Sequence, residues 1–170
     1  MAAHSERLPW PVFARRLLLL CLLVGTPLAY LGTRYRIGID GQAERCLPDT
    51  SVYLIDRWDR APLKDGLYAF TAQGLAPWYA DGTRMLKRMT GLPGEVVEVS
   101  DRGIWMQEHQ IGQGLLLAER MGQLPEAFHR QQLLGEGEYW FSGDAPTSFD
   151  SRYWGPVSRG QLVGRAWPLW

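Results

Sequence analysis

Apolar and polar positions divide the 170 residues into three regimes. Residues 17–33 carry no charge, and Leu17, Leu18, Leu19, Leu20, Leu22, Leu23 and Val24 make the front of this run strongly apolar. Seventeen uncharged residues sit at the short end of what crosses a bilayer, roughly 17–25. Gly25 and Pro27 fall inside the run, where membrane helices tolerate them. After it, short apolar runs alternate with turn signals such as Ala61-Pro62, Leu92-Pro93-Gly94, Gly135–Gly137 and Ala145-Pro146. This pattern predicts strands at 52–56, 67–71, 84–90, 95–99, 103–106, 138–142 and 161–168. Residues 114–134 differ, and their spacing predicts two short helices split at Pro125. The expected architecture is a mainly β, antiparallel core with a small helical insertion, behind one N-terminal transmembrane helix. Residues 1–16 precede the anchor at 17–33, and 37–170 form the domain, with the insertion at about 103–134.

The flanking charges orient the anchor. Arg15 and Arg16 abut the run, and Arg34 and Arg36 follow it. The positive-inside rule puts the N-terminus in the cytoplasm, so the domain is expected in the periplasm, held to the inner (cytoplasmic) membrane. A cleaved secretory signal is the rival reading. Ala29-Tyr30-Leu31 places Leu where a signal needs a small residue, which favours the anchor.

Charge narrows the function classes. Eighteen basic and 18 acidic residues give zero formal net charge, which argues against a nucleic-acid partner. Metal and cofactor chemistry has no support, since no HxH, HExxH or CxxC spacing occurs. The expected partners are the lipid bilayer and other proteins.

Two segments carry candidate chemistry. The chain has two lysines, Lys64 and Lys87, among its 18 basic residues. Lys can give up its proton when taken out of water, whereas Arg cannot. Strand alternation puts Lys87 on one face with Met85 and Met89. The pattern leaves open a buried base and an edge lysine that blocks aggregation. The second segment packs hydroxyls, two acids and an arginine between Ser142 and Arg152. By itself it reads as a polar network or as a capped turn. Cys46 has no intramolecular partner if Cys21 lies in the membrane, so a reactive thiol, intermolecular pairing or burial is expected. His109 falls in a polar turn and His129 in the helical segment, which leaves a Cys–His pair poorly supported.

The run Lys87-Arg88-Met89-Thr90-Gly91-Leu92-Pro93-Gly94 resembles the lysine box of type I signal peptidases. Ser148-Phe149-Asp150-Ser151-Arg152-Tyr153-Trp154-Gly155 resembles their late Gly-Asp…Ser-x-Asp-Ser-Arg box, and 161–166 the strand that follows. The likeness runs from about residue 40 onward, with 103–134 poorly matched. Within that family it leans to the TraF-like peptidases of conjugative transfer systems, which are short and carry one anchor.

The resemblance implies roles. The nucleophile position falls on Cys46, in Arg45-Cys46-Leu47-Pro48, where the family usually has Ser. Lys87 would be its base, Ser148 would orient the amine, and Asp150 with Arg152 would hold the loop. The Cys46 backbone N–H would donate to the oxyanion. The family's further hydroxyl donor falls on Glu44, which cannot donate when ionised. Thr50 and Ser51 are alternative hydroxyl nucleophiles. The implied activity is an endopeptidase acting on exported precursor proteins, pilins among them. The competing reading is a non-enzymatic homologue that binds precursors or conjugative pilus-assembly proteins.

Overall fold

The computed structural model describes residues 9–41, 46–47 and 50–169. Two compact units divide at Tyr35.

The described residues of the first unit form one helix, α1, Trp10–Arg34, up to Tyr35. It starts seven residues before the expected anchor and ends one after it. Pro9 and Pro11 set its first turn, because proline's fixed φ suits a helix start. Trp10 to Ala14 then continue without a breaker into Arg15 and Arg16. The helix passes through Pro27, and none of its residues is buried within the protein. An 18-residue window reaches a mean hydropathy of 1.8. Twenty-five residues span about 37 Å at 1.5 Å per residue, enough for a hydrocarbon core of about 30 Å. This helix therefore fits a membrane anchor.

The second unit is built on two sheets. Its strands are β1 (Tyr35–Ile39), β2 (Val52–Asp56), β3 (Leu67–Thr71), β4 (Arg84–Gly91), β5 (Val96–Ser100), β6 (Gly103–Met106), β7 (His109–Gly112), β8 (Arg130–Leu133), β9 (Glu138–Ser142), β10 (Val157–Ser158) and β11 (Leu162–Pro168). Seven of them form one sheet in the order β1-β2-β11-β3-β4-β9-β10. The other four pair as β7-β6-β5-β8. The pairings from β2 through β10, and those of the smaller sheet, are antiparallel.

The insertion carries more strand than expected. Its helical part survives as two short 3-10 turns, Glu119–Met121 and Pro125–Phe128, the second starting at Pro125 as predicted. Around them β6, β7 and β8 join β5 in the small sheet. His109 opens β7 rather than sitting in a turn. His129 caps the second 3-10 turn and lies 2.9 Å from Asp101. Strands β7 and β8 escape the pattern because their side chains are mostly exposed or half-buried, so no apolar alternation marks them.

Apolar burial explains how the sheets meet. Val97, Val99, Ile104 and Met106 of the small sheet pack with Phe128, Trp140 and Tyr153. Trp140 lies on β9 of the large sheet, so it ties the two sheets together. Tyr68, Phe70, Met89, Phe141 and Leu162 form a second cluster, and Leu47, Tyr53, Ile55, Ala69 and Ala166 a third. The Leu92-Pro93-Gly94 turn leads the chain from β4 into the small sheet. Gly94 there has φ +86°, a conformation that suits glycine, and its N–H donates to the Leu134 carbonyl at 2.9 Å.

Candidate active site

Lys87 sits near the middle of β4, inside the large sheet, opposite Tyr68 of β3. Strand alternation places it between Met85 and Met89, which pack with the Tyr68, Phe70 and Phe141 rings. Only 3% of Lys87 is exposed. A buried amine needs partners, and two are in reach. Lys87 Nζ lies 2.8 Å from Cys46 Sγ and 3.0 Å from Ser148 Oγ.

Cys46 is half-buried, and its neighbour Leu47 is an anchor in the third core cluster. Its own backbone is fixed from across the site. The Asp144 and Ala145 N–H groups both donate to the Cys46 carbonyl, at 2.8 and 3.2 Å. Glu44, Arg45 and Pro48 lie outside the described residues. Ser51 is committed to the sheet, its carbonyl accepting from Asp40 N–H at 2.8 Å. Thr50 accepts at its carbonyl from the Tyr53 hydroxyl.

The late box folds into a rigid frame behind this pair. Asp150 and Arg152 are buried and form an ion pair at 2.7 Å. Arg152 adds a second bond to the Asp150 carboxylate at 2.9 Å, and its remaining nitrogen donates to the Gln113, Gly114 and Pro146 carbonyls. Asp150 also accepts from Gly143 N–H at 3.0 Å and caps the short helix α2, Ser151–Trp154, through Arg152 N–H. A buried charge pair persists when its lone pairs and protons are satisfied in this way. Ser151 Oγ accepts from Phe141 N–H at 3.0 Å, which ties the start of α2 to β9.

Cys46, Lys87, Ser148, Asp150 and Arg152 thus converge from distant parts of the sequence. His109 and His129 lie on or beside the small sheet, the latter paired with Asp101.

Two further contacts escape a reading of side-chain chemistry. Gly143 packs so that a Cβ there would overlap Ser148 Oγ and lie 3.1 Å from Cys46 Cβ. Arg88, next to Lys87 on β4, grips the Asp144 carboxylate with two bonds of 3.0 and 2.9 Å. That bond holds Arg88 firmly in its charged form. It also fixes the residue whose N–H holds the Cys46 carbonyl. Gly143-Asp144 lies within the second candidate segment, yet its function emerges only from packing.

The site opens into a cleft of about 440 Å³. Cys46 and Lys87 line it together with Tyr53, Ile55, Ala69 and Leu86. Thiol and amine in contact at an open cleft form the kind of site that can activate a nucleophile for acyl transfer. The comparisons agree with that class. The family described as signal peptidase, peptidase S26, matches residues 15–170, and the chain belongs to it.

Among its relatives is a probable signal peptidase I-2 from Synechocystis, 34% identical over 90 residues, which cover 49% of this chain and 38% of that protein. The plasmid transfer protein TraF from Escherichia coli is 32% identical over 97 residues, covering 55% of this chain and 54% of that protein. This chain therefore matches less than two thirds of the length of either relative. The crystal structure of a signal peptidase I from Enterococcus faecalis aligns with 61% of this chain and 95% of its own, at 28% identity and a TM-score of 0.40.

Proposed function

We infer that this protein is a membrane-anchored endopeptidase that cuts exported precursor proteins, with Cys46 as nucleophile and Lys87 as base. The observation that carries this reading is the 2.8 Å contact between Lys87 Nζ and Cys46 Sγ, with the amine buried and held by Ser148. The Cys46 proton moves to Lys87 Nζ, and the sulfur attacks the scissile carbonyl carbon. The Lys87 ammonium then passes that proton to the leaving amine, and a thioester remains on Cys46. Lys87 next takes a proton from water, the hydroxide attacks the thioester, and a carboxylic acid leaves as Cys46 recovers its proton. Ser148 orients the amine, and Asp150 with Arg152 holds the loop. The Cys46 N–H is the donor expected to meet the oxyanion.

Substrate binding has support in the sheet. β4 pairs with β9 only from Arg88 onward. Its edge from Arg84 to Lys87 therefore carries no strand on that side among the described residues. Met89 directs its N–H and carbonyl to the Gly66 and Asp65 backbone on the β3 side. Alternation turns those of Arg84 and Leu86 towards the open edge. An extended peptide can add there as a strand, with its scissile bond near Cys46. The TraF relative, named for plasmid transfer, favours a conjugation precursor such as a pilin as substrate, with pilus-assembly proteins as partners. The reading sets residues 1–16 in the cytoplasm and the domain from residue 37 in the periplasm, on the outer face of the inner membrane.

Purified full-length wild type and Lys87→Met are compared on candidate precursors. The wild type is expected to cut and Lys87→Met to be silent. Equal cutting by both overturns the assignment of the base, and a wild type that binds precursors without cutting supports the scaffold alternative.

A further inference from the structure

Two arginines share one face of β4. Arg84 and Arg88 lie four residues apart, so strand alternation points them the same way. Arg88 holds the Asp144 carboxylate with two bonds. Arg84 has no such hold. The residue opposite it is Thr71, whose hydroxyl donates to the Gln161 carbonyl at 3.3 Å. Leu86, its neighbour on that face, is apolar and stands opposite Ala69. Among the described residues, no hydrogen bond or ion pair reaches the exposed Arg84 guanidinium.

Position ties Arg84 to the cleft that holds Cys46, which it lines. It also opens the stretch of β4, Arg84 to Lys87, that has no strand on the β9 side among the described residues. The other charged residues lining this cleft are Asp40, which has a partner of its own, and Lys87, which is held by Cys46 and Ser148. Ile55, Ala69 and Leu86 give the cleft apolar lining. An unpaired guanidinium in such surroundings favours a carboxylate, whose two oxygens match its planar fork. Three residues along a strand cover about 10 Å, and a peptide paired with this edge keeps the same rise. The peptide residue that faces Arg84 is therefore about three positions from the one beside Lys87.

We propose that Arg84 sets part of the cleft's specificity by receiving an acidic side chain of the substrate polypeptide, about three positions from the cut, on the half that lies along β4. A Glu or Asp there gains a charge-assisted bond that a neutral residue lacks, while a basic residue meets like charge. This role rests on the endopeptidase reading of Cys46 and Lys87, but the two fail in different ways.

Cleavage of synthetic peptides by the full chain in detergent tests it. A mixture with randomised positions is digested, and mass spectrometry of the products locates the cuts. Peptides with Glu, Gln or Lys at each position about two to four residues from the preferred cut are then compared by kcat/KM. Glu should be preferred over Gln by about five-fold at one of these positions, the upper worth of a partly exposed ion pair. Arg84→Gln should level Glu and Gln, and Arg84→Glu should turn the preference to Lys. Added salt should shrink the wild-type preference. Arg159→Gln, exposed and outside the cleft, should keep it. A wild type that cuts without acid preference overturns the role of Arg84 alone, as does an acid preference that survives in both Arg84 variants. A wild type that cuts no peptide overturns the endopeptidase reading, and this role with it. Thermal melts check folding, and if Arg84→Glu does not fold, Arg84→Gln carries the test alone.

Discussion

Gly143 lies so close to Ser148 that a Cβ on the glycine would overlap the Ser148 hydroxyl and sit 2.7 Å from its Cβ. The same atom would lie 3.1 Å from Cys46 Cβ. The glycine is thus the gap through which three parts of the site touch. Gly143→Ala is expected to push Ser148 or Cys46 away from Lys87. Displacements of about 1 Å can cost about 100-fold in rate. A precursor-cleavage assay should show a loss of that order while the protein still melts cooperatively. Unchanged activity would mean that Ser148 can leave Lys87 without consequence.

The nucleophile is tested by replacement. Cys46→Ala should abolish cleavage, while Cys46→Ser, which installs the family's usual residue, should retain a measurable rate. Ala at Thr50 or Ser51 should leave the rate within about two-fold, since both are engaged with the sheet through their carbonyls. If Cys46→Ala cuts normally, the thiol is a bystander.

Iodoacetamide reads the thiol directly. Cys46 lies in an open cleft with Lys87 Nζ at 2.8 Å, so a proton acceptor or a cation is always beside it. Alkylation at pH 7 should be slower in Lys87→Met by about ten-fold or more, because the thiolate is the reacting form. Equal rates in the two proteins would separate Lys87 from the thiol's chemistry.

The Asp150–Arg152 pair is a stability prediction. Both side chains are buried, and Arg152 also donates to three carbonyls. Asp150→Ala leaves that guanidinium buried without its counter-ion and should cost about 3–5 kcal/mol in urea denaturation. The Arg88–Asp144 pair is about one third exposed. Arg88→Gln should cost only about 0–1 kcal/mol, yet slow cleavage by loosening the Cys46 carbonyl. Equal destabilisation by the two variants would contradict this difference in burial.

Burial pushes the Tyr68 and Tyr153 hydroxyls above their ordinary value of 10.0. For Tyr153 the Leu117 N–H that bonds its oxygen pulls the other way, but burial is the larger cause. The folded protein therefore holds these protons when the unfolded chain has lost them. Their contribution is fully present below about pH 10 and is lost as pH rises through the higher folded values. Denaturation midpoints should fall from pH 9 to 11, less steeply in Tyr153→Phe. A variant slope as steep as wild type would place the alkaline loss elsewhere.

Much of the large sheet, with β5 and β6 of the small one, is legible in the sequence because these strands are buried on at least one face. The strands at 52–56, 67–71, 103–106 and 138–142 keep their expected bounds. The expected 95–99 shifts by one residue at both ends to β5, and the expected 161–168 loses one residue at its N-terminal end in β11. Strands such as Arg130–Leu133 hide because their burial alternates without apolar side chains to record it. At the site, the positions of Lys87, Ser148, Asp150 and Arg152 follow from two compact boxes. The roles of Gly143 and Arg88 do not, since a missing Cβ and a backbone carbonyl leave no chemical signature along a chain.

The place of β11 has a consequence for biosynthesis. It lies between β2 and β3, which have no direct pairing of their own. Cys46 precedes β2 in the chain, and Lys87 lies on β4, beyond β3. The two halves that carry thiol and amine are therefore stitched into one sheet only after Leu162–Pro168 has been made. Until β11 has joined them, the strand that follows Cys46 and the strand that carries Lys87 share no sheet, so the contact between thiol and amine is one of the later events of folding.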